Sequence, residues 1–206
     1  MPKTKRDWTF PRRHLRRLDV GTVFDVGVSR GTPELYDAFP HSYFVLVEPL
    51  HEHVTDLDAI LAHHAGEYVL AAAGANPGTA TLNVEPARHG MSSLLSRTPR
   101  TATGDEVEHR EVPVVTLDQI AEQRDLPAPY GIKIDTEGFE LEVVRGAARV
   151  LDLAVFVVAE TSTSRRFAGG YRSIDLIQEL RGHGFVPFDV LRSTRSYVDL
   201  LFMRSG

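Results

Sequence analysis

The chain has 206 residues, of which 42% are hydrophobic and 25% are charged, and its formal net charge is −5. These values are typical of a globular protein, and the length favours a single domain. The absence of cysteine excludes disulfide scaffolds, thiolate metal sites and a cysteine nucleophile. The longest uninterrupted apolar run, residues 153–159, is too short to cross a bilayer, and the charged N-terminus does not resemble a secretory signal. The composition therefore predicts a soluble cytoplasmic protein without a membrane span.

Basic residues are concentrated at the N-terminus. Residues 1–18 hold seven lysines and arginines against one acidic residue, so the rest of the chain is acidic. A basic arm can bind nucleic acid or an anionic surface. The acidic body and the lack of interleaved aromatic residues argue against a nucleic-acid partner. The sequence predicts a basic N-terminal arm over residues 1–18 and one domain over residues 19–206.

Apolar, β-branched runs alternate with helical stretches along the chain. The predicted strands are Thr22–Val26, Tyr43–Val47, Tyr68–Ala72, Gly131–Ile134, Val155–Ala159, Phe185–Val190 and Val198–Met203. This alternation predicts a parallel sheet that is covered by helices on both faces. Only residues 191–197 join the last two runs, which is too short for a crossover helix and predicts an antiparallel pair.

Three helix starts are marked by local patterns. Thr32 precedes Pro33, and proline is favourable at the first position of a helix. Thr116 begins a capping-box pattern that opens the next helix. Ser173 is predicted to cap a helix over Ile174–Arg181.

Two segments depart from the alternation of strands and helices. Gly78–Val84 follows the turn sequence Asn-Pro-Gly and alternates in polarity, which predicts an added strand or hairpin. Residues 85–111 are polar and show no sustained period. A stretch of this length inside a compact domain is either disordered or a working lid, and we expect a lid-like loop.

Candidate ligand-binding residues lie where the first two strands end, because ligands of open parallel sheets bind beyond the carboxyl ends of the strands. The first strand leads into Asp25-Val-Gly-Val-Ser-Arg-Gly31. Here Gly27 allows close approach of the backbone, and Gly31 tolerates unusual dihedral angles. Glu48, followed by Pro49, lies where an acidic side chain can accept the hydroxyls of a ribose. The combination predicts a cofactor that contains a nucleoside.

The sign of the charge in the first loop distinguishes between cofactors. A dinucleotide-binding loop would read GxGxxG and hold a pyrophosphate. Asp25 would repel phosphate and would attract an ammonium group, which favours S-adenosylmethionine over a nicotinamide cofactor. A nicotinamide-dependent oxidoreductase and a non-catalytic nucleoside-binding protein remain open as alternatives at this point.

The most unusual string is Gly131-Ile-Lys-Ile-Asp-Thr-Glu-Gly-Phe-Glu140. Lys133 is the only lysine beyond the N-terminal arm, and it shares a strand face with Asp135. A lysine in an apolar strand is unfavourable unless it is paired. It either forms a structural pair with a carboxylate or orients a catalytic one. Glu137 can turn into the cleft, whereas we interpret Glu140 as a structural charge at a helix start.

With three further strings, these motifs make the sequence resemble the FkbM-type methyltransferase family over roughly residues 20–160. The additional strings are Asn76-Pro-Gly-Thr79, Ser92-Ser-Leu94 and Val115-Thr-Leu-Asp118. The resemblance implies a Rossmann-like α/β fold: a seven-stranded, mostly parallel sheet with an antiparallel last strand and helices on both faces. It also implies an S-adenosylmethionine-dependent O-methyltransferase. Its partner would be a small-molecule or saccharide acceptor, methylated on a hydroxyl of a sugar, a glycoconjugate or a polyketide-type natural product.

Carried over by position, the resemblance implies roles for individual residues in binding the cofactor. Asp25 and Gly27 would line its methionine end, and Glu48 would hold its ribose. Ala72 and Ala73 would flank its adenine.

The resemblance also implies which residues lie near the reacting groups. Ser92 and Ser93 would close over the cofactor or the acceptor, and Asp135 would lie beside the methyl group. A hydroxyl acceptor needs a base, and the candidates are Asp135, Glu137, Glu160 and a loop histidine. We expect Asp135 or Glu160 to take the proton, alone or through a divalent cation that bridges both. No metal-ligand motif such as HExxH is present, so no metal site is predicted.

Overall fold

The structure is a computed structural model, and it describes residues 15, 17–99, 101, 102, 104 and 106–205. The strands of the main sheet are β1 (Thr22–Val26), β2 (Tyr43–Val47), β3 (Gly66–Val69), β7 (Tyr130–Ile134), β8 (Ala154–Ser162), β9 (Phe185–Ser193) and β10 (Tyr197–Arg204). A small second sheet contains β4 (Ala72–Ala73), β5 (Gly78–Val84) and β6 (Glu108–Val115). The α-helices are α1 (Pro33–Ala38), α2 (Val54–Leu61), α3 (Leu117–Glu122), α4 (Glu140–Arg145), α5 (Ala148–Asp152) and α6 (Ser173–Gly182).

The main sheet has the strand order β3-β2-β1-β7-β8-β10-β9. The first five strands in this order are parallel, and β10 runs antiparallel to both of its neighbours. This confirms the predicted mostly parallel sheet and the antiparallel final pair. The order reverses between β1 and β7, because the chain proceeds from β1 to β2 on one side and from β7 to β8 on the other. A ligand crevice is expected at such a switch point, beyond the carboxyl ends of the two strands.

Helices cover both faces of the main sheet, as predicted. On one face, Leu35 of α1 and Leu57 of α2 belong to the same buried cluster as Phe44 of β2. On the other face, Val144 of α4 and Leu180 of α6 belong to the cluster that is built on β1, β7 and β8. Burial on both faces explains why these central strands are continuous apolar runs rather than alternating ones.

Two of the three predicted helix starts lie where the sequence places them. Helix α1 begins at Pro33, although the side chain of Thr32 makes no capping hydrogen bond. Helix α3 begins after Thr116, whose hydroxyl oxygen accepts a hydrogen bond from the backbone N–H of Gln119 at 3.0 Å. That bond satisfies one of the free N–H groups of the first helical turn.

The predicted role of Ser173 as a helix cap is wrong. The N-cap of α6 is Arg172. The backbone N–H of Arg172 donates a hydrogen bond to the carboxylate of Asp175 at 2.9 Å. The hydroxyl of Ser173 instead donates to the backbone carbonyl of Ser162 at the end of β8. Ser173 therefore begins the helix one residue earlier than predicted and ties it to the sheet.

The predicted strand Tyr68–Ala72 is divided between the two sheets. Strand β3 ends at Val69, where the chain turns and the N–H of Ala71 donates to the Val69 carbonyl at 3.0 Å. The next residues, Ala72–Ala73, pair in parallel with Val114–Val115 of β6. The apolar run is continuous in the sequence, so the pattern gives no sign of this turn.

Strand β5 has the predicted bounds and pairs antiparallel with β6. The first half of β6 lies within residues 85–111, which were predicted to form a lid-like loop. Pro113 lies within β6, and proline inside a polar segment argues against a strand. Strand β4 pairs only with residues 114 and 115, so Pro113 has a neighbouring strand on one side alone. A proline is tolerated at such an edge position, and the loop is shorter than predicted.

The chain packs against the body before residue 19. Leu15 is fully buried and belongs to the same cluster as Phe156 and Leu201 of the main sheet. The rest of the predicted basic arm, residues 1–14 and 16, lies outside the described residues. In the described part of the chain, no helix combines the length and the apolar character needed to cross a membrane.

Candidate active site

A cleft opens at the switch point between β1 and β7. Most of the predicted site residues line it: Gly27, Glu48, Pro49, Ala72, Ala73, Ser92, Ser93, Asp135 and Glu137. Asp25, Gly31 and Glu160 do not line it. The structure therefore brings together nine of the predicted residues, which come from the ends of β1, β2, β4 and β7 and from the loop after β5.

The loop after β1 is shaped by its contact with the loop after β7. Gly27 has a φ of 74°, and a Cβ atom at this position would lie only 1.9 Å from the carbonyl oxygen of Asp135. Only glycine fits here, because the two backbones meet and the conformation is left-handed. Ser29 also has a positive φ, 50°, and its N–H points to the end of β2.

Glu48 is held at the cleft by two backbone donors. Its Oε2 accepts a hydrogen bond from the N–H of Ser29 at 2.8 Å, and its Oε1 accepts one from the N–H of Leu50 at 3.0 Å. Burial raises the pKa of Glu48, and these two hydrogen bonds oppose the increase. Each carboxylate oxygen keeps a second lone pair, so Glu48 can accept hydrogen bonds from the hydroxyls of a ligand.

The position of Asp25 contradicts its predicted contact with the cofactor. Asp25 is fully buried, its Oδ1 lies 2.9 Å from Nζ of Lys133, and its Oδ2 accepts a hydrogen bond from the hydroxyl of Tyr36 at 2.6 Å. The Nζ atom of Lys133 also donates to the carbonyl oxygen of Gly27 at 2.7 Å. Lys133 thus forms a structural pair with Asp25 rather than with Asp135. Through the hydrogen bond from Lys133 to Gly27, the pair holds the loop after β1 in place, so it would act on a bound ligand only through that loop.

Gly31 likewise serves packing rather than ligand contact. It has a φ of 90°, and a Cβ atom there would lie 2.9 Å from the side chain of Ile60 and 3.1 Å from the ring of Tyr36. Because the turn into α1 is pressed against these side chains, the glycine is required by the fold.

The small sheet supplies an apolar wall to the cleft. Ala72 and Ala73 of β4 line it together with Leu82 of β5 and Leu50 after β2. Flat apolar surfaces of this kind suit an aromatic base. The wall lies next to Glu48, which places a surface for a base beside an acceptor for sugar hydroxyls.

The segment after β5 lines the cleft. It contains the 3₁₀ turn His89–Met91, and Ser93 forms an isolated β-bridge with Asn83. The hydroxyl of Ser93 donates to the carbonyl oxygen of Glu137 at 2.7 Å. A Cβ atom on Gly90 would lie 2.9 Å from Oγ of Ser29, so this segment also packs against the loop after β1.

The turn after β7 adopts an unusual backbone. Glu137 has a φ of 53° and Gly138 one of 102°. The N–H groups of Thr136 and Gly138 both donate to Oε1 of Glu140, at 3.0 and 2.9 Å. Glu140 is only 1% exposed, and burial raises its pKa. The sequence analysis missed this role, because a helix-start glutamate gives no indication that its side chain folds back onto the preceding turn.

Three carboxylates meet beside this turn. The carboxylate oxygens of Asp135, Glu137 and Glu160 lie within 4.8 Å of one another, which is close enough for shared ligation of a cation. Arg166 already bridges two of them: it donates to Glu137 and, at 2.7 Å, to Glu160. The second oxygen of Glu160 lies 3.4 Å from a nitrogen of Arg192. Guanidinium groups therefore provide the compensating charge in this cluster.

Glu160 is a buried member of the cluster. Burial raises its pKa well above the usual value, and the carboxylates of Asp135 and Glu137 raise it further, while Arg166 opposes them. The sequence analysis missed both arginines, since Arg166 lies in the loop between β8 and α6 and Arg192 lies in β9. No local motif marks either of them.

The lining of the cleft fits S-adenosylmethionine. It combines the alanine wall with the carboxylates of Glu48, Asp135 and Glu137, which suit the cationic amino and sulfonium groups of that cofactor. Among the described residues that line the cleft, there is no lysine or arginine. A dinucleotide would need such donors for its pyrophosphate, so the charge of the cleft argues against a nicotinamide cofactor.

Comparison with known families decides the assignment. Residues 20–187 match the methyltransferase FkbM domain. The chain belongs to the FkbM methyltransferase family. A 93-residue segment is 32% identical to the hexuronic acid methyltransferase AglP of Haloferax volcanii, and it covers 41% of this chain and 37% of that relative. The matched segment thus spans little more than a third of the relative.

A solved structure shows the same fold as this FkbM domain, and a second one also aligns with it. The first is magnesium protoporphyrin IX methyltransferase (ChlM) of Synechocystis PCC 6803 with bound S-adenosylmethionine. The two structures align with a TM-score of 0.50 at 12% sequence identity, and the alignment covers 94% of this chain and 74% of the ChlM chain. The alignment with a 1,6-didemethyltoxoflavin N1-methyltransferase of Burkholderia thailandensis has a TM-score of 0.48 at 13% identity. It covers 95% of this chain and 75% of the other. The family match identifies a methyltransferase FkbM domain, and the ChlM structure shows that this domain shares the fold of that enzyme.

Proposed function

We propose that this FkbM-family protein is an S-adenosylmethionine-dependent O-methyltransferase that methylates a hydroxyl group of a sugar or glycoconjugate. The observation that carries the proposal is the position of Asp135. Its carboxylate lines the same cleft as Glu48 and the alanine wall, at the carboxyl end of β7. A group that can accept a proton therefore adjoins the surface that fits the cofactor.

Four residues would hold the cofactor. Glu48 would accept hydrogen bonds from its ribose hydroxyls, Ala72 and Ala73 would contact its adenine, and Gly27 would let the backbone approach its methionine end. When it is bound, S-adenosylmethionine supplies a methyl group on a sulfonium for in-line transfer to an oxygen.

Asp135 is the proposed base, because its carboxylate lines the cleft at the carboxyl end of β7. Glu137 is bridged by Arg166 and lies 3.7 Å from Arg97, and both oxygens of Glu160 face guanidinium groups. A hydroxyl is a weak nucleophile until it loses its proton, and a positioned base contributes about 10²–10⁴-fold to the rate. Holding the reacting atoms about 3–3.5 Å apart contributes further.

The relative AglP favours a sugar hydroxyl as the methyl acceptor. The curated relative AglP is a hexuronic acid methyltransferase. Asp135 is suited to removing a proton from a neutral hydroxyl, and Glu137 and Glu160 need not act on the acceptor directly. A polyketide-type hydroxyl is the outcome that a substrate panel would have to distinguish from a sugar.

Two measurements test this proposal. Isothermal titration with S-adenosylhomocysteine should give a binding heat, and NADH should give none; binding of NADH alone would overturn the assignment of the cofactor. Methyl-labelled S-adenosylmethionine should then be incubated with a panel of uronic acid glycosides, neutral glycosides and macrolide aglycones. Label on a sugar oxygen is the expected result, whereas label on the aglycones alone, or on none of the panel, contradicts the proposed acceptor class.

A further inference from the structure

A side chain outside the cleft reaches the turn that carries its carboxylates. The hydroxyl of Tyr171, in the loop between β8 and α6, donates to Oε2 of Glu140 at 2.7 Å. The other oxygen of Glu140 accepts the N–H groups of Thr136 and Gly138, at 3.0 and 2.9 Å. One buried carboxyl group therefore connects the loop between β8 and α6 to the turn after β7.

This turn needs support from outside its own backbone. Glu137 lies in the left-handed region, which side chains other than glycine rarely adopt, and Gly138 follows it with a φ of 102°. Hydrogen bonds from backbone N–H groups to a buried carboxyl oxygen are costly to lose, because water cannot easily replace them. The two N–H bonds to Glu140 hold the turn on both sides of Glu137, so the direction of the neighbouring Asp135 depends on them.

Glu140 in turn depends on Tyr171 for its orientation. The side chain of Glu140 is 1% exposed, so water cannot replace a lost hydrogen bond at Oε2 without rearrangement. The same loop touches the turn at a second point, because a Cβ atom on Gly138 would lie 2.4 Å from the ring of Phe167. The loop and the turn are packed together rather than merely adjacent.

We propose that Tyr171 is a positioning residue: through Glu140 it holds the 135–138 turn so that Asp135 faces the methyl acceptor. The loop that carries Tyr171 is thereby connected to the base. The part of this proposal that names Asp135 as the base rests on the proposed function. The part that concerns the turn does not.

The decisive experiment compares Tyr171→Phe with a matched control, Tyr130→Phe. Tyr130 lies at the opposite end of β7, where its hydroxyl donates to the carbonyl of Leu126 at 3.3 Å, so each variant loses one partly buried hydroxyl donor. Amide hydrogen exchange should become about tenfold faster or more at residues 136 and 138 in the Tyr171 variant, because a buried carboxyl group that loses its hydroxyl donor holds these two amides less firmly. The control should exchange at these two amides as the native protein does.

A double variant shows whether Tyr171 acts through Glu140. Exchange at residues 136 and 138 in Tyr171→Phe/Glu140→Gln should be no faster than in Glu140→Gln alone. If the two effects multiply, or if Tyr171→Phe leaves the exchange unchanged, the proposal is overturned. Thermal unfolding of each variant shows whether faster exchange is local or reflects a general loss of stability, and a loss spread over all of β7 also contradicts the proposal.

Kinetics provide a second readout that separates this proposal from the proposed function. Tyr171→Phe should lower kcat about tenfold or more while KM for S-adenosylmethionine stays within about twofold, because the cofactor contacts are untouched. A rise in KM for the cofactor at unchanged kcat would contradict a positioning role. If the native protein transfers no methyl group, the proposed function fails, and the exchange measurements still decide the role of Tyr171.

Discussion

Replacing Lys133 with methionine would leave the carboxylate of Asp25 buried without the ammonium group that lies 2.9 Å from it. The two side chains are 2% and 0% exposed, so water cannot compensate the charge without opening the core. The Nζ atom of Lys133 also donates to the carbonyl oxygens of Val26 and Gly27, at 3.4 and 2.7 Å. The substitution therefore removes both the ion pair and the tie between β7 and the first loop of the cleft.

The expected loss of stability follows from the burial of this pair. Removing one partner of a buried ion pair destabilises a protein by about 3–5 kcal/mol. In a domain of this size, each kcal/mol lowers Tm by about 2–4 °C, so the total decrease should be roughly 6–20 °C. Adding Asp25→Asn to Lys133→Met removes the uncompensated charge and should recover about 1–3 kcal/mol.

Equilibrium unfolding in urea measures the loss, and titration with S-adenosylhomocysteine measures its effect on the cleft. The matched control is Arg145→Met, since Arg145 forms an exposed ion pair with Glu142 in which the side chains are 47% and 33% exposed. Exposed pairs contribute about 0–1 kcal/mol. If Lys133→Met loses no more stability than this control, the buried pair does not stabilise the fold and the reasoning is refuted. The affinity for the ligand should also fall, because Gly27 lines the cleft.

Three further changes test the cleft and its turn. Asp135→Asn should abolish methyl transfer while calorimetry shows unchanged binding of S-adenosylhomocysteine. The control Asp125→Asn changes an exposed carboxylate and should have no effect on either measurement. Turnover near the native rate in Asp135→Asn would exclude Asp135 as the base. Burial raises the pKa of Glu48, so its carboxylate takes up a proton at a higher pH than an ordinary glutamate does. As the pH is lowered from neutral, the affinity for S-adenosylhomocysteine should weaken in the native protein but show a flat profile in Glu48→Gln. Gly138→Ala should lower Tm, because the new Cβ would lie 2.4 Å from the Phe167 ring at a φ of 102°; an unchanged Tm in differential scanning calorimetry would show that this packing is not as tight as the structure indicates.

Much of the main sheet could be predicted from the sequence, and the reason is burial on both faces. Strands β1 and β2 have the predicted bounds, because a strand covered by helices on both sides is a continuous apolar run with polar ends. The sequence did not predict strand β6, because the first half of this strand is polar and Pro113 interrupts the apolar pattern of its second half. The division of the run Tyr68–Ala72 was missed as well, since the partner of its last residue lies in β6.

The candidate site was predicted by position more reliably than by role. The rule that ligands bind beyond the carboxyl ends of strands located Gly27, Glu48 and Asp135, and the structure places all three at one cleft. The same rule failed for Asp25, whose side chain turns inward to Lys133. A strand-end acid is recognisable in a sequence, but the direction of its side chain is set by neighbours from other strands.

The sequence by itself determined the class of fold, the edge of the sheet where the candidate site lies, and the resemblance to methyltransferases, because hydrophobic period and strand-end residues are local properties of the chain. The tertiary structure alone decided which carboxylates face the cleft and which are neutralised. Arg166 and Arg192 reach Glu160 from separate segments, and Tyr171 reaches Glu140 across the turn. Electrostatic interactions depend on distances in space, and a one-dimensional pattern does not contain those distances until the fold has brought the residues together.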